Sequence, residues 1–498
     1  MALPSRWYSL AAMQRSCRPA FAAVLAGALV AGCTVGPDYH PPATTALGVP
    51  AAYALSAAPA AAVDLSAWWR QFDDPLLADL IARATAANLD IAVSQGRLIQ
   101  ARESLIQAKA SLFPTLSGSA GVTHNMVYAP ASATNVGGTL IETGGNSANT
   151  QLSLGLDASW QVDLFGGTRR GIEAARANAD NALFNLVAVR TSVAGEVATN
   201  YIDARLAQAR LAIARDTLKT QDDNLQIAGW RVQAGLASSV DVEQARAQRA
   251  QTAASIPTFE TSLTNAANRL GVLTGQAPGA LRQAIASQGP IPHGPDSVAI
   301  GIPADTLRQR PDVRAAERSL AAATAQIGVA KAQLYPALTI TGDLTTAASR
   351  IGSLTDIVTG ALFAGLTQTI FDAGRLRSQL RSARAGADIA FATYKQTVLT
   401  GLEDVENAIQ ALNSAKERQR QLAIAVDASN NAALLARSQY RAGLTDFLTL
   451  LQSEQTLLSA RDALAAAEAD QSLALVQLYL ALGGGWQPSS PETIGSPS

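Results

Sequence analysis

The chain has 498 residues, of which 48% are hydrophobic, yet aromatics make up only 5% and charged residues 15%. A formal net charge of −1 leaves no basic field for nucleic acid. Three scattered histidines (His40, His124, His293) offer no histidine-built metal site, and the abundant alanine favours closely packed helices over bulky cores.

Residues 1–32 read as a signal peptide. Arg6, Arg15 and Arg18 precede an apolar run from Ala20 to Ala31, which is too short to span a bilayer. Val30-Ala31-Gly32-Cys33 resembles a bacterial lipobox, in which Cys33 is acylated and becomes the mature N-terminus. A plain signal peptide cleaved nearby would instead leave Cys33 a free thiol. Thr34, rather than Asp, follows Cys33 and points toward the outer membrane. Cys17 leaves with the signal, so the mature chain forms no internal disulfide.

Residues 33–64, rich in Pro and Ala, read as an extended arm. A first repeat covers 65–275. It opens with a helix from Trp68 to Phe113, which Pro114 stops. A strand at Leu116–Val122, a long polar loop at Met126–Thr150 and a strand at Leu152–Leu164 then make a hairpin over about 115–164. The last strand alternates strictly: Leu152, Leu154, Leu156, Ala158, Trp160, Val162 and Leu164 face one way, and polar or glycine residues the other. A proline-free helix over about 168–229 would reach roughly 90 Å, far longer than a compact domain holds. A return helix over about 236–274 carries Pro257, which predicts a kink.

A proline-rich connector fills 276–303. The second repeat, 304–483, has a helix to Leu334, a hairpin over about 337–370, a long helix over about 374–440 and a return helix over about 445–482. Residues 484–498 form a tail. The duplication is visible in constant offsets. Ala234-Gly235-Leu236 recurs as Ala442-Gly443-Leu444, 208 residues on (442 − 234), and Leu112-Phe113-Pro114 recurs as Leu334-Tyr335-Pro336, 222 on (334 − 112). The surplus lies in the first hairpin.

Four amphipathic strands cannot close a spanning barrel, which needs about eight. An open sheet in lipid would leave backbone groups unpaired, so sister copies must complete it. Two copies give eight strands and three give twelve with a lumen; strand number alone leaves both open. Asp157, Gln161, Asp163 and Asp343 suit a wet interior.

Catalytic motifs are absent: there is no G-x-x-x-x-G-K-[ST], H-E-x-x-H or G-x-S-x-G. Gly166-Gly167 reads as a strand-to-helix hinge, and Asp372-Ala373-Gly374 as a helix start. Asp222-Asp223 and Glu403-Asp404 read as solvated helix faces. The chain is therefore read as a non-enzyme with no cofactor and no metal.

Several motifs carry a family resemblance. They are Trp69 to Leu80 with Asp73-Asp74-Pro75-Leu76-Leu77; Arg310-Pro311-Asp312-Val313-Arg314-Ala315-Ala316-Glu317, continuing to Ala325-Gln326-Ile327-Gly328; and Tyr440-Arg441-Ala442-Gly443 with Leu448-Thr449-Leu450-Leu451. On these the chain resembles a TolC-like outer-membrane factor of the OprM/NodT lipoprotein branch. The resemblance implies an α+β membrane protein, a homotrimer with a twelve-stranded transmembrane β-barrel and a periplasmic α-barrel of twelve long helices. Arm, connector and tail would form an equatorial collar. It further implies an exit duct that passes drugs or other small molecules across the outer membrane. Its partners would be outer-membrane lipid, a periplasmic adaptor (membrane fusion) protein and an inner-membrane transporter of the RND type. Type I protein secretion and metal export use related ducts. A periplasmic coiled-coil adaptor, the rival class, would lack the four strands.

The resemblance also implies a gate at the helix tips. Matching positions are Gln439, Tyr440, Arg441, Leu448 and Gln452. Leu448 would give an apolar ring that gates by dewetting. Tyr440 and Arg441 would hold the second helix pair against the first, although plain helix packing also explains Tyr440 and Leu448. The family often carries Asp at the position of Gln452 and can carry Arg at that of Gln439, so an acid–base latch at these two sites is not expected here. Asp446 or Asp241 is the alternative acid. Gly235 and Gly443 are turn glycines and would form the adaptor-facing tips.

Overall fold

The computed structural model describes residues 34–54, 65–128, 132–136, 139–143, 147–295 and 303–487. The signal segment, Cys33, most of the tail and parts of the arm and connector lie outside these residues. The chain divides into two compact units, one containing Ala101–Ala179 and Ser319–Phe391 together with the residues up to His40, the other containing the remainder.

Helix α1 (Pro75–Ala87) is followed by α2 (Leu89–Ala110), then by strands β1 (Thr115–Val127), β2 (Ser132–Val136), β3 (Thr139–Thr143) and β4 (Ser147–Val162). Helices α3 (Gly167–Gln233) and α4 (Ser239–Leu273) complete the first repeat. The second comprises α5 (Pro311–Ala332), β5 (Ala337–Ala348), β6 (Val358–Thr367), α6 (Arg375–Arg441) and α7 (Phe447–Ala481). The repeat is kept to the residue. Both α3 and α6 have 67 residues, both α4 and α7 have 35, and both α2 and α5 have 22. No helix among the described residues is long and apolar enough to cross a membrane.

The first unit holds an antiparallel four-stranded sheet of order β1-β4-β5-β6. Its register puts Gly118, Leu156, Leu344 and Gly360 in one row, and Leu116, Ala158, Gly342 and Leu362 in the next. That face is therefore apolar or glycine over most of its length, with Thr346 and the facing pair His124 and Thr150 as polar exceptions among the described residues. It is bare: Leu362 is 83% exposed. The opposite face carries Ser, Thr, Asn, Gln and Asp, with Phe363 and Val127 as large apolar side chains on it. On it Asp157 lies directly across from Asp343, a like-charge pairing that only a well-solvated surface tolerates. Strands β1 and β6 each pair with one neighbour, which leaves two open edges.

Residues 34–39 strap this unit across both repeats. The Val35 amide donates to the Phe165 carbonyl at 3.1 Å. A β-carbon at Gly36 would lie 2.5 Å from the Gly328 α-carbon, so two backbones touch there. Arg170, nearly buried, donates to Asp38 at 2.6 Å and to Glu173 at 2.7 Å. Tyr39 packs on Ala177, Ala321 and Ala322.

The second unit has an aromatic core. Trp68 is fully buried and stacks on Tyr479 at 5.5 Å, while the Tyr479 hydroxyl donates to Gln71. Asp74 caps α1 by accepting from Leu76 and Leu77, ahead of a proline at the first helical position. Its other oxygen accepts from the Tyr201 hydroxyl at 2.6 Å, and burial holds that phenol well above its ordinary pKa. Arg310 pairs with Asp312 at 2.7 Å and Asp404 at 3.0 Å, and donates to the Ala481 carbonyl. The Arg310-Pro311-Asp312 motif thus ties the start of α5 to α6 and to the end of α7.

Four expectations need correction. The helix expected from Trp68 to Phe113 is a short 3-10 turn and two helices, broken at Asn88. Asn88 caps α2 through Asp90 and Ile91 and donates to the Leu273 carbonyl at 3.0 Å. The polar loop Met126–Thr150 contains a second small hairpin, β2 with β3. Asp163 lies beyond β4 and accepts from the Arg169 amide at the start of α3, so it is a helix cap and no part of the wet face. Asp404 is not merely solvated, since it pairs with the nearly buried Arg310; Asp222 stays on an exposed face, where it pairs with Arg249.

Candidate functional site at the helix tips

The turns that join α3 to α4 and α6 to α7 have one geometry. In the first, Gly235 sits at φ 73° and the Leu236 amide donates to the Arg231 carbonyl at 2.8 Å. In the second, Gly443 sits at φ 73° and the Leu444 amide donates to the Gln439 carbonyl at 2.9 Å. Each is a Schellman ending, in which glycine takes the left-handed position without a β-carbon penalty. Each following helix is then capped: Ser238 accepts from Val240 and Asp446 from Thr449. The Thr449 hydroxyl and amide hold the Asp446 carboxyl below the usual carboxylate range. Asp446 is thus a helix cap.

Behind the turns lies a small apolar cluster of Ala228, Ala245, Ala436, Tyr440, Phe447 and Leu450, contributed by all four long helices. Tyr440 is 3% exposed and meets Phe447 edge-on at 5.5 Å. Arg231, near the end of α3, donates to the Tyr440 carbonyl at 2.6 Å and lies 4.5 Å from the centre of its ring. Burial pushes the Tyr440 phenol above its ordinary pKa.

A second polar layer follows two turns along the helices. Glu454 on α7 is 7% exposed and accepts from Asn224 of α3 at 2.6 Å and from Arg437 of α6 at 3.0 Å. Further on, Asp216 of α3 pairs with Arg461 of α7 at 2.9 Å. Residues 216, 224 and 231 recur at about two helical turns, so one face of α3 carries a row of polar ties to the second repeat.

Of the predicted residues, Tyr440 is brought into this cluster. Arg441, the last residue of α6, is exposed. Leu448 is 57% exposed, and Gln452, one turn later, lies on the same open face. Arg231, Asn224, Arg437 and Glu454 were not singled out from the sequence. A signal for two of them is present: Asn224 and Arg231 interrupt a helical stripe otherwise filled by Leu225 and Ala228.

The profile described as "Outer membrane efflux protein" matches residues 80–276 and 302–484, one segment for each repeat. Nodulation protein T of Rhizobium leguminosarum bv. viciae is 33% identical, with 93% of each chain covered. The toluene efflux pump outer membrane protein TtgC of Pseudomonas putida is 30% identical over 92% of this chain and 94% of its own. The solved structure of the outer-membrane channel OprN superposes with a TM-score of 0.81 at 35% identity, covering 92% of this chain and all of that one. This chain belongs to the outer membrane efflux protein family.

Proposed function

We propose that three copies of this chain close a twelve-stranded barrel in the outer membrane and act as the passive exit duct of a tripartite efflux system. One observation carries the reading: the four-stranded sheet has a bare apolar face, a polar face and two open edges. Lipid satisfies the first, a water-filled lumen the second, and strands from sister copies the third. Exposed apolar side chains on α2 (Val93, Ile99, Ile106) and on α6 (Ile389, Ile424, Leu434) support lateral contact between copies. The efflux pumps named among the relatives support the transport role.

Within the duct, the tips bearing Gly235 and Gly443 form an iris of six turns and meet a periplasmic adaptor. Leu448 forms the apolar constriction, with Gln452 beside it and Arg441 at its rim. Tyr440, held by Arg231, keeps the second helix pair against the first. Energy comes from an inner-membrane transporter of the RND type, and the cargo is a drug or another small molecule. Cys33, next to the docked strap, carries the lipid anchor on the periplasmic side.

The test is accumulation of a fluorescent pump substrate in cells that hold the cognate adaptor and transporter. Cells lacking this chain should retain the dye, and restoring the chain should clear it; equal retention in both contradicts the duct. Acyl labelling that disappears in Cys33→Ala supports the anchor, and labelling that persists contradicts it.

A further inference from the structure

The second unit holds an open-mouthed cavity of about 1170 Å³, lined by α1, α3, the start of α5 and residues 307–308 ahead of it, Tyr394 of α6 and the residues after α7. Small-molecule sites commonly measure about 300–1,000 Å³, so there is room for more than a single ring. Its wall carries Arg70, Arg190, Arg308, Arg314 and Arg318, against two carboxylates, Asp180 and Glu317. Glu317 is already matched by Arg318 at 2.6 Å. Positive charge is therefore in excess.

Arg314 sits at the centre of this chemistry. Its guanidinium lies 5.5 Å from the Phe184 ring and 5.2 Å from the Trp486 ring. Its Nε donates to the Arg308 carbonyl at 2.6 Å, and the Trp486 indole is fixed by the Gln309 carbonyl at 3.0 Å. Burial lowers the Arg314 pKa even though the Glu317 charge acts the other way, the mark of a cation drawn out of water. Trp69 and Tyr394 add two further aromatic walls.

These features select among occupants. An inorganic anion would leave the aromatic walls unfilled. A neutral aromatic would bring no charge to the Arg314 guanidinium, and an aromatic cation would be repelled. We propose that this cavity binds a planar aromatic anion of two or more rings, its carboxylate or sulfonate directed at Arg314 and its rings against Phe184 and Trp486. The site is separate from the helix tips and from the sheet.

The probe is 2-naphthoate, titrated into the assembled, detergent-solubilised protein and followed by calorimetry. Saturable binding at one site per chain is expected, with at least tenfold weaker binding of neutral 2-naphthamide. Arg314→Gln should weaken 2-naphthoate at least tenfold. Should Arg314→Gln fail to assemble, Arg190→Gln, on an exposed part of the wall, decides with an expected weakening of threefold or more. Absence of saturable binding overturns the proposal. Equal affinity for acid and amide, or unchanged affinity in the variant that assembles, overturns it as well.

Discussion

Arg231 and Tyr440, 209 residues apart in sequence, meet where the two repeats come together at the helix tips: the guanidinium donates to the tyrosine carbonyl at 2.6 Å and covers its ring. One side chain of the first repeat thus grips both backbone and side chain of the second. A charged hydrogen bond and a cation–π contact together contribute about 2 kcal/mol. Arg231→Ala should raise the conductance of the closed duct in planar bilayers by roughly 30-fold in open probability, since each 1.4 kcal/mol is a factor of ten. Arg231→Lys should recover part of the closure, because it keeps the charge but loses the planar fork. Unchanged conductance in Arg231→Ala would remove this contact from the gate.

Leu448 is more than half exposed at the second position of α7, so its side chain has little packing to lose. Leu448→Ser should therefore leave thermal stability within about 0.5 kcal/mol. It should make the closed duct leak by wetting an apolar constriction. A stable variant with unchanged conductance would show that Leu448 only decorates the tip.

Glu454 is a different case, because it is buried and holds two partners. Glu454→Ala would strand Asn224 and leave Arg437 without its acid. Such a break costs about 3 kcal/mol when a buried pair loses one member. Asn224→Ala should cost less, about 1–2 kcal/mol. Melting of the assembled protein checks both, and a shift for Asn224→Ala equal to or greater than that of Glu454→Ala would contradict this ranking.

The strap should release only in acid. Arg170, by hydrogen bond and by charge, holds the Asp38 carboxyl below its ordinary value, so its contribution is fully present above the unfolded pKa and is lost as pH falls through the folded one. The Val35 amide, bound to the Phe165 carbonyl, should thus stay protected from hydrogen exchange at pH 7 and pH 5 and lose protection only once the pH falls below the ordinary carboxylate range. Gly328→Ala should abolish the protection even at pH 7, because its β-carbon would sit 2.7 Å from Arg170 Cγ and 3.0 Å from the Val35 carbonyl. Retained protection in that variant would contradict the clamp.

Much of this architecture is legible in the sequence because membrane strands and long helices obey simple periods. Alternation from Leu152 onward follows from a sheet with lipid on one side and water on the other. The offsets of 208 and 222 persist because α2, α3 and α4 have same-length counterparts in α5, α6 and α7. What escapes has local or distant causes. The β2–β3 hairpin lies in a polar tract whose Ser, Thr, Asn and Gly residues show no apolar alternation. The break at Asn88 is fixed by a bond to Leu273, far along the chain. At the tips, Gly235 and Gly443 are readable as turn glycines from their own chemistry. Arg231 shows locally only as a break in a helical stripe, and nothing around it indicates that its partner lies on α6.

The central claim is that one chain supplies four strands of a wall that three chains complete. Native mass spectrometry of the protein extracted gently from the outer membrane tests it most directly. A particle of three chains that loses its conductance when dissociated is expected. A conducting or stably folded single chain, or a particle of two, would contradict it.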